Sequence, residues 1–148
     1  MSTTIRLARK DDVFDILVLA KEFSKEAPAS HKWSKDKTEQ FLDVAIDNEL
    51  STVIILEVDG EIVGAIVGLL NEMYMSQTKV ATELAWFVSK DYRGSKGSLM
   101  LVKEFEVWAK SRGADYLCMG DIHGITTLEK LYTRLGFKKC ETTYMKEV

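Results

Sequence analysis

Val88-Ser89-Lys90-Asp91-Tyr92-Arg93-Gly94-Ser95-Lys96-Gly97-Ser98 is the stretch on which the reading of this chain turns. Before it runs an apolar, strand-like segment ending at Val88. After it, Leu101, Val102, Phe105, Trp108 and Ala109 recur at helical spacing until Gly113 stops the pattern. A turn that leads from a strand into a helix leaves backbone N–H groups unpaired at the helix start. Those donors, with the positive end of the helix dipole, bind anions. The dipole alone contributes about 0.3–1 kcal/mol per charge, so several N–H bonds must supply the rest. Gly94 and Gly97 would let a phosphate approach the backbone closely, and Arg93 and Lys96 could add charge from the rim. The segment is not a Walker A loop, since no GxxxxGK[ST] pattern occurs. Taken alone, it reads equally well as an ordinary strand-to-helix loop carrying glycines.

Upstream of the loop, Val80 to Val88 reads as a strand. Strict alternation would divide it into Val80, Thr82, Leu84, Trp86 and Val88 on one face and Ala81, Glu83, Ala85 and Phe87 on the other. Before it, the runs Thr52–Val58 and Glu61–Leu70 flank Asp59-Gly60, the two residues of a type I′ hairpin turn. Thr3–Leu7 reads as a first strand. A helix capped by Asp11 or Asp12 carries Val13, Ile16, Leu17, Ala20 and Phe23 on one side. A second helix follows Ser34, with Phe41, Leu42, Ala45 and Ile46 inward, and the polar loop between the two helices holds His31 and an exposed-looking Trp33. Downstream, Asp115–Met119 reads as a strand. Thr126-x-x-Glu129 has capping-box spacing for a helix ending before Gly136, and Phe137–Cys140 and Thr142–Lys146 are β-like. The order β-α-α-β-β-β-α-β-α-β-β is an α/β (α+β) arrangement, a mixed central sheet of about seven strands with helices on both faces.

Composition narrows the class of protein. With 148 residues, one proline (Pro28) and no linker or repeat, residues 1–148 read as a single domain. A chain of this length buries about 70% of its unfolded surface. The net charge of -3 and pI near 5.5 speak against general nucleic-acid binding. The N-terminus lacks the apolar core of a signal peptide, and no apolar run approaches the roughly 18 residues of a membrane span. Cys118 and Cys140 have no CxxC spacing and are accompanied by only two histidines, so no metal site is expected. Reduced thiols in a cytoplasmic protein fit that usage better.

Two segments together carry a family resemblance. The strand–Tyr92-Arg93-Gly94-Ser95-Lys96-Gly97-Ser98–helix unit and the later Leu131-Tyr132-Thr133-Arg134-Leu135-Gly136-Phe137 resemble the GNAT acetyltransferases. That family's signatures are Gln/Arg-x-x-Gly-x-Gly/Ala and Leu-Tyr-x-x-x-Gly-Phe. The element order is also similar, over essentially the whole chain. Lys96 stands where the first signature has Gly, Ser98 where it has Gly or Ala, and Ile125 where the second helix often starts with Asn. Lys96 carries a Cβ and needs a φ/ψ that tolerates one. The resemblance implies acetyl-CoA as cosubstrate, an amine-bearing acceptor, and a cofactor cleft where two central strands splay. It implies that Trp86, Phe87 and Val88 offer backbone groups to the pantetheine arm and thioester, and that Arg93, Gly94, Ser95, Lys96, Gly97 and Ser98 hold the pyrophosphate. It also implies a homodimer as a common state, through the C-terminal strands.

The chemistry adds its own requirements. An amine attacks a thioester only when neutral, and a lysine-like amine has a pKa of about 10.4. Glu83 is the candidate base, directly or through water. On strict alternation it shares a face with Ala81, Ala85 and Phe87, whose small members leave room for a substrate. A solvent-facing carboxylate paired with a basic neighbour explains Glu83 equally well. A strand N–H near Phe87 or Val88 could stabilise the oxyanion. Tyr132 stands where family members often place the acid that serves the leaving thiolate, and its plain alternative is a packed helix tyrosine. His31 and Trp33 could line the acceptor site. Asp121 and His123 read as residues that cap and turn the chain, and Cys118 as a core thiol. The expected reaction is acetyl transfer to a primary amine by direct attack in a ternary complex. The alternative is a non-catalytic acyl-CoA-binding or regulatory module that keeps the fold.

Overall fold

A computed structural model describes residues 1–26, 32–122 and 126–148. His31, His123 and Ile125, each singled out in the sequence, lie outside the described residues. The elements are β1 (Thr3–Leu7), α1 (Val13–Ser24), α2 (Lys35–Ile46), β2 (Ser51–Val58), β3 (Glu61–Glu72), β4 (Lys79–Val88), α3 (Lys96–Ser111), β5 (Tyr116–Cys118) and α4 (Thr126–Arg134). Short 3-10 turns at Lys10–Asp12 and Lys90–Tyr92 precede α1 and α3.

The sheet runs β1-β2-β3-β4-β5; the first four strands are antiparallel and β5 is parallel to β4. The Asp59-Gly60 turn has positive φ at both residues, 51° and 82°, as a type I′ turn requires. Each sheet face is covered by helices. Ile54, Leu56, Ile66, Leu70 and Val88 pack with Leu101, Phe105 and Trp108 of α3. Val53, Ile55, Ala65, Val67 and Phe87 pack with Ile16 and Leu17 of α1 and Leu42 and Ala45 of α2. Among the described glycines the tightest approach is at Gly68, where an added Cβ would clash with the Phe105 ring. Gly68 therefore creates the slot that seats Phe105, a ring whose removal from a core costs about 3–5 kcal/mol.

Among the described residues there are five strands, not about seven. The residues after Phe137 are exposed along their whole length and join no sheet among the described residues, so 137–140 and 142–146 are not strands. Lys138, Lys139 and Glu141 give that tail no apolar face to bury, and a strand without a ladder or a buried face has nothing to hold it. The first helix also begins differently from its sequence reading. Asp12 makes no side-chain cap bond to α1. Its carboxylate instead accepts from the Arg9 N–H at 2.7 Å and from both terminal nitrogens of Arg6, which also bonds Glu57 at 2.8 Å. The Arg6 guanidinium holds the Asp12 carboxyl below its usual range, and the cluster ties β1 and β2 to the start of α1. Ser34 does cap α2, accepting from the Lys37 N–H. Among the described residues no helix is long and apolar enough to cross a membrane.

Candidate active site

β4 positions the site, and two features of its pairing decide where its groups point. The first is a bulge. Val67 of β3 faces Ala85 while the next residue, Gly68, faces Glu83, so Leu84 is the extra residue. The bulge reverses the alternation assumed from the sequence. Residues opposite each other share a face, so Glu83 lies on the α3 side with Gly68 and Ala81, as do Trp86 and Val88 beyond the bulge. Ala85 and Phe87 lie on the α1–α2 side. Glu83 therefore shares a face with Ala81 but not with Ala85 and Phe87, contrary to the sequence reading.

The second feature is a splay. β5 pairs with β4 only at Val80, Ala81 and Thr82, so from Glu83 onward that side of β4 has no strand neighbour among the described residues. On its other side, the Ser89 N–H bonds the Val63 carbonyl at 2.8 Å, which sets the phase of the antiparallel ladder. Hydrogen-bonded pairs then alternate, committing the backbone groups of Phe87 to Ala65 and leaving those of Trp86 and Val88 facing the open side. Of the three residues expected to offer backbone groups, Trp86 has both of its groups on the open side and Val88 its N–H, while the Val88 carbonyl accepts from Arg93.

The loop after β4 ends where Ser95 caps α3, its Oγ accepting from the Ser98 N–H at 3.2 Å. The N–H groups of Arg93, Ser95 and Leu99 are taken by loop carbonyls. Those of Gly94, Lys96 and Gly97 have no acceptor among the described residues. Three unpaired donors at a helix start suit a diphosphate. The substitution of Lys for Gly at position 96 does not distort this turn: the positive φ falls at Gly94 (72°), and Asp59 is the one described non-glycine residue with positive φ. Gly97 has a separate reason to be glycine, because a Cβ there would lie 2.8 Å from Leu56 in the core. Arg93 does not point its guanidinium at these donors. Its Nε donates to the Val88 carbonyl at 2.8 Å and Nη2 to Glu26 at 2.6 Å.

Glu83 and Tyr132 meet at a residue that sequence reasoning passes over. The Gly120 N–H donates to Glu83 Oε1 at 3.2 Å, and the Tyr132 hydroxyl donates to the Gly120 carbonyl at 2.8 Å. Gly120 lies just beyond β5, so only the splay brings it to Glu83, and no sequence signal marks it. Burial pushes the Glu83 carboxyl up to about 7, against the opposing pull of the Gly120 N–H. Burial also raises the Tyr132 phenol, with the charges of Glu83 and Asp121 adding to it. The Tyr132 ring lies 6.5 Å from Trp86 and 5.6 Å from Phe137, which packs against the α3-side core. The Trp86 indole nitrogen and one Asp121 carboxylate oxygen are buried without a partner among the described residues.

The profile of the acetyltransferase (GNAT) family matches residues 11–137. The chain belongs to the GNAT family. No curated protein sequence matches it. Solved structures that resemble this GNAT chain include the ribosomal-protein-alanine N-acetyltransferase of Brucella melitensis biovar Abortus 2308, at 16% identity and a TM-score of 0.79, with 100% of both chains covered. AAC(6')-Iy in complex with the bisubstrate analog CoA-S-monomethyl-acetylneamine matches at 16% identity and a TM-score of 0.83, covering 100% of this chain and 99% of that one. Glucosamine-6-phosphate N-acetyltransferase from Arabidopsis thaliana matches at 12% and 0.78, with 99% of each covered. At these identities the likeness is one of fold.

The remaining expectations for this GNAT chain fare unevenly. Trp33 is not an exposed loop aromatic: it packs against the α1–α2 core with its indole nitrogen sealed in. Cys118 is half-buried, not a core residue, and Cys140 is exposed; both are free thiols. Among the described residues no group of three His, Cys, Asp or Glu could hold a metal ion.

Proposed function

We propose that this chain is an N-acetyltransferase that moves the acetyl group of acetyl-CoA to a primary amine by direct attack in a ternary complex, with residues 1–148 forming one catalytic domain. The observation that carries the reading is the meeting of Glu83 and Tyr132 at Gly120, beside the opening where β4 loses its neighbour. Acetyl-CoA would lie along that opening, its pyrophosphate on the N–H groups of Gly94, Lys96 and Gly97 and its pantetheine arm against Trp86 and Val88. The complexes of AAC(6')-Iy with CoA and with a CoA-linked analog support this placement by likeness of fold.

In the reaction the amine nitrogen bonds to the carbonyl carbon, the C–S bond breaks, and one amine proton must leave. Glu83, its carboxyl pushed up to about 7 by burial, is a stronger base than an ordinary carboxylate and can accept that proton directly or through water. The Val88 N–H faces the opening and can receive the developing oxyanion. Tyr132 has one hydroxyl hydrogen, which it would have to turn from the Gly120 carbonyl towards the departing thiolate, and there it would serve as a hydrogen-bond donor more than as a proton source. A thiol has a pKa of about 8.5 and a phenol one of about 10, and this phenol is raised further.

Calorimetric titration with acetyl-CoA tests the cradle, and release of free CoA across a panel of amines tests the transfer. Lys96 is the first residue of α3 and Ser95 before it is extended (φ -76°, ψ 163°), so Lys96→Pro removes one cradle N–H without breaking the helix. Weaker binding in Lys96→Pro than in Lys96→Ala is the expected result. Binding without turnover on any amine would overturn acetyl transfer in favour of a CoA-binding module; no binding at all would overturn both.

A further inference from the structure

Arg93 belongs to the loop that the proposed function assigns to pyrophosphate, yet its guanidinium is committed elsewhere. One edge donates from Nε to the carbonyl of Val88, the last residue of β4. The other donates from Nη2 to Glu26, two residues beyond the end of α1. Lys90, from the same loop, lies 3.9 Å from the other Glu26 oxygen. The end of α1 is thus tied to β4 twice: by this polar bridge and by the Phe23 ring stacked on Phe87 at 5.3 Å. From there the chain passes to Trp33, which packs against the same core as Phe87.

We infer that Glu26 and Arg93 form a strut that couples the cofactor loop to the end of α1, making both positioning residues. The inference rests on the proposed function in one respect, that the loop is where acetyl-CoA binds. The guanidinium is a rigid planar fork, so fixing one edge on the Val88 carbonyl fixes where the other edge meets the carboxylate. Arg93 directly precedes Gly94, whose N–H is one of the three free donors. Filling the cradle therefore holds the turn that holds Arg93, and Arg93 holds α1. The pair is partly exposed, with side chains 46% and 31% accessible, and ion pairs of that exposure add little to folding. Its effect should therefore appear in coupling, not in stability. By reciprocity, whatever binds at the end of α1 tightens acetyl-CoA by the factor that acetyl-CoA tightens it.

The test is hydrogen exchange on the whole protein, free and loaded with acetyl-CoA, alongside calorimetry. In the wild type, acetyl-CoA should slow exchange in the Lys21–Glu26 segment. In Glu26→Gln that slowing should vanish while the acetyl-CoA affinity falls by no more than about fivefold. Arg93→Lys should behave as Glu26→Gln does, because an ammonium cannot span both acceptors, and Glu26→Asp should restore part of the effect. With an amine that is turned over, Glu26→Gln should raise the amine KM and leave kcat within about twofold. Slowing at α1 that persists in Glu26→Gln, or is absent from the loaded wild type, overturns the strut. If the wild type binds no acetyl-CoA, the proposed function fails, and the strut is judged on the free protein. There Glu26→Gln must speed exchange in both Lys21–Glu26 and Ser89–Ser95, and a change in only one segment overturns it.

Discussion

Replacing Glu83 by Gln should make the protein more stable and less active, and the gain should depend on pH. Burial raises the Glu83 carboxyl from 4.5 to about 7. Below pH 4.5 the group is protonated whether the chain is folded or not, and it imposes no penalty. As pH climbs to about 7 the unfolded chain ionises freely while the folded chain resists, so stability falls across that window. Each pH unit of it is worth about 1.4 kcal/mol, giving a full penalty of about 3 kcal/mol above pH ~7. Gln never ionises and keeps an oxygen for the Gly120 N–H. At about 3 °C per kcal/mol for a chain of this size, Glu83→Gln should raise Tm by roughly 5–10 °C at pH 8. At pH 5, where less than about 1 kcal/mol of the penalty has developed, the gain should shrink to a few degrees or less. If Glu83 is the base, turnover should fall about 10²–10⁴-fold in the same variant. Thermal melts of both proteins at the two pH values decide the first claim. A lower Tm for Glu83→Gln at pH 8, or an equal gain at both pH values, would refute the burial argument.

Gly68→Ala should cost about 3 kcal/mol in urea denaturation, since its Cβ meets both the Phe105 ring and, at 3.1 Å, the Thr82 carbonyl. Gly97→Ala should cost less, about 1–2 kcal/mol, because it presses on the tip of the Leu56 side chain and not on backbone. Thr52 is 3% exposed and its hydroxyl has no partner among the described residues, so Thr52→Val should gain about 1 kcal/mol; a loss would show that the hydroxyl is bonded. Asp12→Asn should cost about 2–3 kcal/mol at neutral pH by leaving Arg6 with a neutral neighbour. The Asp12 carboxyl is held below 3.8 in the fold, so its contribution is complete above that pH and lost as pH falls through the lowered value. Acid titration of the wild type against Asp12→Asn should therefore converge at low pH.

Local chemistry made much of this protein legible from its residues. The Asp59-Gly60 turn, the Ser34 cap, the α3 stripe and the glycine-bearing turn into α3 each follow from backbone or periodic constraints that act within a few residues. The same local grammar placed the GNAT signatures, and with them the family. What misled was what strict alternation cannot contain. A bulge at Leu84 inserts one residue and turns Glu83 away from Ala85 and Phe87, a shift that depends on how β3 pairs with β4. The missing C-terminal strands fail for want of a partner ladder, which a β-like composition does not supply. Arg93 reads in the sequence as charge on the rim of a glycine-bearing turn, whereas its bonds to Val88 and Glu26 are set by where α1 ends in space. The sequence by itself determined the elements from β1 to α4 and the fold family they belong to, because propensity and periodicity are local. Only the tertiary structure decided which groups meet, because Glu83, Gly120 and Tyr132 converge through the splay of β4 from β5.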